Sequence, residues 1–198
     1  MISVRKVNKN DDLNSIALCI YLTDPYIYPS AFGEEQEIAV EGIKKLINNR
    51  ISFFNTQNII VARYDNKICG VLVYNINGFD FDLNKSVELA NGVVPNLCNF
   101  KFTAEKYFFE ESKKPDEKCI EIIACCVLPQ YRKMGIGSNL INWLTENFKD
   151  YTFKLDVLAS NKGAIYLYEK SGFVIEEKYK GFSLYEGKSP DCYHMVRK

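Results

Sequence analysis

The run from Arg132 to Ser138, RKMGIGS, has the composition of a phosphate cradle. Its glycines let a ligand approach the backbone, Arg132 and Lys133 supply positive charge, and a helical pattern follows. The opening N–H groups of a helix have no partner within it, and the helix dipole adds partial positive charge there. The flanking elements are those a cradle needs. Ile120 to Val127 is apolar on both alternating faces except at Glu121, which is how a strand buried within a sheet reads. Leu128, Pro129 and Gln130 break that run, and Ile136, Leu140, Ile141, Leu144 and Phe148 then recur at helical spacing. An ATP-type loop requires G-x-x-x-x-G-K-S/T, which is absent, and the dinucleotide fingerprint requires a third glycine where Leu140 stands.

A second pattern lies downstream: Asn161, then Ala164 and Tyr168 as A-x-x-x-Y, then Gly172-Phe173. With R-x-x-G-x-G at Arg132, Gly135 and Gly137, it resembles the two signatures of the GNAT superfamily of N-acetyltransferases, in that family's order and separation. The motifs cover the C-terminal half of the chain, and the N-terminal half is similar only in its pattern of elements. The resemblance implies acetyl-CoA as cosubstrate and no metal. It implies that the backbone around Cys125, Cys126 and Val127 binds the pantetheine arm and the thioester carbonyl. The pyrophosphate would lie against Arg132 and the N–H groups of Lys133, Met134, Gly135, Ile136, Gly137 and Ser138, with Asn161 also at the coenzyme.

Acetyl transfer to an amine needs a deprotonated amine, a stabilised oxyanion and a proton for the leaving thiolate. Tyr168 matches the family tyrosine that protonates the coenzyme sulfur. A phenol of pKa about 10 is protonated at neutral pH and can donate to a thiolate of pKa near 8.5. On a helix, Ala164 and Ile165 share the face of Tyr168, whereas Tyr166 points elsewhere. Glu121 lies where some members of the family place a base, and burial among Ile120, Ile122 and Ile123 would raise its pKa. Asp156, in the strand before Asn161, is the competing base. The ordinary alternatives are a packed tyrosine and a glutamate at an exposed strand end. A nucleophilic Cys125 or Cys126 would need an activating base, and the single histidine, His194, stands on a terminal strand where a structural role is more common.

Composition narrows the classes. The 25 basic and 25 acidic residues leave no global field to recruit nucleic acid or an anionic membrane. No long apolar run suggests a membrane span or a signal peptide, which predicts a cytoplasmic protein. Seven cysteines without a C-x-x-C pair, beside one histidine, indicate neither a disulfide framework nor a zinc site. Cys125 and Cys126, adjacent on a strand, should face opposite ways.

Along the chain, Ile2 to Val7 reads as a strand, and Asp11 or Asp12 caps a helix whose apolar face is Leu13, Ile16, Ala17, Ile20 and Tyr21. Pro25 and Pro29 prevent one regular helix over 23–33. In the family this region walls the acceptor site, which gives Tyr26, Tyr28 and Phe32 either a substrate role or a covering one. A helix at about 34–49 follows. Asn58 to Tyr64 and Lys67 to Asn75 form a hairpin through Asp65-Asn66. In the long segment 76–118, Gly78 to Asp82 alternates like a short strand, and helical fragments are expected near Ser86 to Gly92 and Thr103 to Ser112. Asp80, Asp82, Glu34, Glu35 and Glu37 could rim the acceptor entrance with negative charge. Thr152 to Leu158 is a strand, Ser160 or Asn161 caps the next helix, Gly172 ends it, and Phe173 to Leu184 with Cys192 to Arg197 closes the sheet.

The expectation is a single domain over 1–198 with an insertion at about 76–118, of α/β class. A mixed central sheet is flanked by helices in the order β-α-α-β-β-β-α-β-α-β-β, which is that of the family. The expected activity is transfer of an acetyl group from acetyl-CoA to a primary amine by direct attack in a ternary complex. The protein would be a monomer or homodimer without nucleic-acid or membrane partners. Two alternatives stand beside it. A non-catalytic acyl-CoA-binding or sensor domain would keep Gly135 and Gly137 without depending on Tyr168 or Glu121. A nucleotide-binding redox domain would use Gly135, Gly137 and the acid Asp156 about 20 residues on.

Overall fold

Local chemistry accounts for most element boundaries in the computed structural model, which describes residues 1–47, 56–76, 82–105, 118–181 and 190–198. Strand β1 (Ile2–Lys6) leads to helix α1 (Leu13–Tyr21), whose N-cap Asp12 accepts the N–H groups of Asn14 and Ser15. Asp11 instead takes both terminal nitrogens of Arg5, at 2.7 and 2.6 Å. Helix α2 (Ile27–Phe32) occupies only part of the proline-broken stretch, so no single helix spans 23–33. Pro29 falls in its first turn, where a missing N–H costs nothing. Helix α3 (Gln36–Ile47) follows, then the hairpin β2 (Ile59–Tyr64) and β3 (Lys67–Ile76), whose turn holds Asp65 and Asn66 at φ 47° and 66°.

The segment 76–118 carries helices α4 (Leu83–Ala90) and α5 (Leu97–Thr103). Asn96 starts the second by accepting Asn99 N–H, and of the helical fragment expected near Thr103 to Ser112, 106–112 lies outside the described residues. Of the alternating stretch, 77–81 lies outside the described residues, as does Asp80 with it, and Asp82 caps α4 through Lys85 N–H. The rest of the order is β4 (Cys119–Val127), α6 (Ile136–Asn147), β5 (Thr152–Leu158), α7 (Lys162–Lys170), β6 (Val174–Lys180) and β7 (Asp191–Arg197).

The strands form one sheet in the order β1-β2-β3-β4-β5-β7-β6. Among the described strands only β4 and β5 pair in parallel. That rules out the redox alternative, which requires a parallel doubly wound sheet. One core lies between the sheet and α1–α3, with Ile16, Phe32, Ile43, Val73, Ala124 and Cys126. The other lies under α6 and α7, with Leu72, Tyr74, Ile122, Leu140, Leu144 and Tyr168.

Two features of β4 position the site. Val73 pairs with Ala124 and Tyr74 with Ile122, so Ile123 bulges out of the ladder. On the other side, pairing with β5 runs from Cys119 and Thr152 to Ile122 and Leu155 and stops there. Residues 123–127 therefore face a cleft rather than a strand. Gly70, paired with Val127, lets α6 settle onto this end of the sheet: a Cβ there would stand 3.0 Å from the Cys126 carbonyl oxygen and 3.1 Å from Ile136 Cγ2. Gly70→Val should cost about 1–3 kcal/mol by overpacking. Urea denaturation would show this as a lower midpoint with an unchanged slope.

Candidate active site

The cradle expected at 132–138 takes shape where β4 ends. After a tight turn at Pro129–Tyr131, Lys133 and Gly135 both adopt positive φ, 64° and 78°, a pattern that turns successive N–H groups to one side. Gly135 is the N-cap of α6 and offers no side-chain cap, and the first backbone N–H to find an acceptor in the helix is that of Asn139, bonded to Gly135 O at 3.0 Å. The N–H groups of Ile136, Gly137 and Ser138 are thus left for an external anion. Arg132 ties the loop to β4 through Nε and the Val127 carbonyl at 3.1 Å, leaving its exposed head at the rim.

The two glycines serve different needs. A Cβ at Gly135 would meet nothing within 4 Å, so this position is open to a ligand and needs glycine for its φ. A Cβ at Gly137 would stand 2.8 Å from Leu167 Cδ2, so that glycine permits α6 and α7 to meet. Ile136 is buried and Met134 exposed, so what Ile136 could offer a ligand is its backbone N–H. These features fit a pyrophosphate, and the unpaired edge of β4 at 123–127 fits an extended amide-bearing chain.

At the apex of the cleft, Tyr168 is 6 % exposed and its hydroxyl lies beside the Cys125 sulfur. Burial, with the Cys125 thiol beside it, pushes the phenol well above its ordinary range. Burial likewise pushes the Cys125 thiol up to about 12. Tyr166, by contrast, is 66 % exposed, as the helical spacing required. Asn161 caps α7 by accepting Ala164 N–H at 3.1 Å. Cys126 faces the other core, where it lies beside Cys19. Neither cysteine has a base as its partner, which the covalent route would require.

The second face of the cleft collects acid. The bulge at Ile123 puts Ile123 and Ala124 on the α1–α3 side together, so Glu121 lies on that side too, opposite Lys154 of β5. Asp156 is on the same side, because Phe153, Leu155 and Val157 fill the α6–α7 core. Sequence reasoning favoured a structural role for one residue here, His194, and did not single out another, Asp24. His194 of β7 is in register with Asp156, and its Nδ1 lies 2.8 Å from Asp156 Oδ1. Asp24, between α1 and α2, accepts the N–H groups of Tyr26 and Ile27 at 2.7 and 2.8 Å, and burial raises its pKa. Its D-P-Y context marks a turn but not a role. Tyr28 and Phe32 are buried with stacked rings 6.4 Å apart, so they build the wall rather than line its surface, while Tyr26 is half-buried.

The family model described as Acetyltransferase (GNAT) family matches residues 21–173. The chain belongs to that family. It is accordingly an acyltransferase, and the acetyl donor that the GNAT family uses is acetyl-CoA. Among curated proteins it is similar to the L-amino acid N-acetyltransferase AaaT of Escherichia coli, at 28% identity over 89 residues, which are 43% of this chain and 55% of that protein. The match thus spans about half the length of that relative. Its fold is that of an N-acetyltransferase from Staphylococcus aureus Mu50 (TM-score 0.67, 18% identity, 98% of this chain and 99% of that one). It is also that of Arabidopsis thaliana Naa50 solved with the bisubstrate analogue CoA-Ac-MVNAL (TM-score 0.55, 17% identity, 100% and 98%). Among the described residues no helix is long and apolar enough to cross a membrane.

For this GNAT chain the cradle makes a specific forecast. Acetyl-CoA at a hundredfold excess over its Kd should stabilise the protein by about 2.7 kcal/mol, visible as a rise in Tm. Gly135→Val should abolish that rise. Gly137→Val should also lower the ligand-free Tm, since its side chain strikes Leu167. A full shift in both variants would place the coenzyme elsewhere.

Proposed function

We propose that the protein moves an acetyl group from acetyl-CoA to a primary amine by direct attack in a ternary complex. The observation that carries this reading is the buried Tyr168 hydroxyl aimed at a sulfur inside the cleft, with the phosphate-binding loop at the cleft's outer end. The pantetheine arm lies along the unpaired edge of β4 at Cys125, Cys126 and Val127, and the pyrophosphate lies on 132–138. Tyr168 stays protonated throughout the working pH range because its pKa is raised, and it hands its proton to the thiolate as the C–S bond breaks. The amine enters from the opposite face, where Glu121 and Asp156 supply negative charge that favours a cationic acceptor. The relative named for L-amino acids and the neighbour solved with a peptide-bearing analogue make amino acids and peptide N-termini the first acceptors to try.

An amine panel assayed by thiol release tests the reading: wild-type protein should release CoA from acetyl-CoA only when an acceptor is present. Tyr168→Phe should then lower turnover about 10²–10⁴-fold while acetyl-CoA affinity is kept, because the packed ring remains. Full turnover in Tyr168→Phe, with chemistry rate-limiting, would remove the general-acid role. Acetyl-CoA binding without transfer to any amine would favour the non-catalytic sensor instead.

A further inference from the structure

The acceptor face holds one side chain that combines a proton-accepting atom with a partner that fixes its tautomer. Asp156 Oδ1 is 2.8 Å from His194 Nδ1. A carboxylate can only accept, so Nδ1 carries the hydrogen and Nε2 is left with a free lone pair. The side chains are 31% and 26% exposed, so both are reachable from the cleft yet held by the sheet. Their strands fix them: Asp156 and His194 are directly paired across β5 and β7, one residue past the last β4–β5 pair.

Position also separates this pair from Glu121. Glu121 is opposite Lys154, inside the paired part of the β4–β5 ladder, and so Asp156 is two residues closer to the opening, roughly 6–7 Å along the strand. The segment 24–28 crosses that opening. Tyr28 lies within electrostatic reach of Cys126 on β4, and Cys192 on β7 within reach of both Asp24 and Asp156. Along β5 the His194 pair thus lies nearer the unpaired end of the β4–β5 ladder than Glu121 does.

We infer that His194 is the general base of the acetyl transfer, with Asp156 as its positioning residue. The inference rests on the acetyl-transfer reading. In the step it describes, the acceptor ammonium gives one proton to His194 Nε2, and the freed nitrogen lone pair forms the new C–N bond. The C–S bond breaks, the thiolate takes the Tyr168 proton, and the second proton lost by the nitrogen restores the tyrosine. One proton per turnover leaves to solvent from His194.

Several charges face His194. Asp156 raises its pKa most, through the hydrogen bond, and Glu176 of β6 also raises it, while burial and Lys154 of β5 oppose them. Glu177 is its register partner on β6, and Cys192 shares its strand. The imidazole in the folded protein therefore titrates above 6.5, and the base form accumulates as pH rises through that raised value.

Because this is the only histidine in the chain, its ring signals in NMR are assigned without mutagenesis. On protein with CoA bound, the imidazole should titrate above 6.5, and Asp156→Asn should move that titration to lower pH. In turnover assays with an acceptor from the panel, kcat should rise through the same pKa, since kcat reports groups ionising in the complex. His194→Gln should remove that limb and lower kcat at neutral pH about 10²–10⁴-fold, with the acetyl-CoA-induced Tm rise retained. Asp156→Asn should shift the limb to lower pH, in step with the NMR titration. Glu121→Gln should raise KM for the amine and leave the limb in place. Unchanged kcat and limb in His194→Gln would overturn the inference, as would a limb that moves with Glu121→Gln, or a loss in His194→Gln that accompanies loss of the Tm rise. A wild-type protein that binds acetyl-CoA but acetylates no amine would instead overturn the acetyl-transfer reading, and this inference with it.

Discussion

The site depends on two parallel strands that stop pairing. In a continuous sheet the backbone groups of 123–127 would bond to β5, but β5 leaves the ladder at Leu155 while β3 keeps its hold on β4 as far as Val127. Backbone N–H and C=O groups left on such an edge need partners, and an amide-bearing ligand supplies them. The bulge at Ile123 and the close packing at Gly70 belong to the same arrangement. One increases the local twist of β4, and the other lets α6 lie low enough for its N-terminus to end at the mouth of the cleft.

The cleft passes through the sheet, so its two faces hold different chemistry. On the α6–α7 side are a buried phenol, a thiol kept protonated by burial and the anion-binding loop. On the α1–α3 side are Glu121, Asp24 and the Asp156–His194 pair. In the proposed transfer, the proton donor and the proton acceptor would thereby stand on opposite faces of the sheet. Strict alternation along β4 would have put Glu121 on the face of Cys125, and the bulged residue reverses that assignment.

The segment 76–118 also gains a purpose in this frame. Helices α4 and α5 pack against α2 and α3 rather than against the sheet, and Phe100 meets Phe32 edge-on with centroids 5.5 Å apart. Pro95 covers Gly33, where a Cβ would fall 2.9 Å from its Cγ. Helices α4 and α5 therefore buttress the wall that carries Asp24 and Tyr28. That wall is short and proline-interrupted.

Signals written locally were legible in the sequence. The strand-turn-helix at 119–147, the hairpin turn at Asp65-Asn66, the caps Asp12 and Asn161 and the inward face of Tyr168 all follow from spacing over a few residues, because backbone sterics and capping act at that range. Helix α5 was not read from the sequence because the Asn96 cap is one polar residue among several that could have served. What only tertiary structure decided is the register between distant strands. Asp156 and His194 are 38 positions apart, and no local pattern reveals that β7 inserts between β5 and β6 and sets the two side by side. Sheet order is fixed by which pairing buries both cores at once, and that is a property of the whole chain. The strand-turn-helix that carries the glycine motif was therefore readable locally, whereas the surroundings of Asp156 and His194 emerged only once β4, β5, β7 and the α1–α2 segment were placed together.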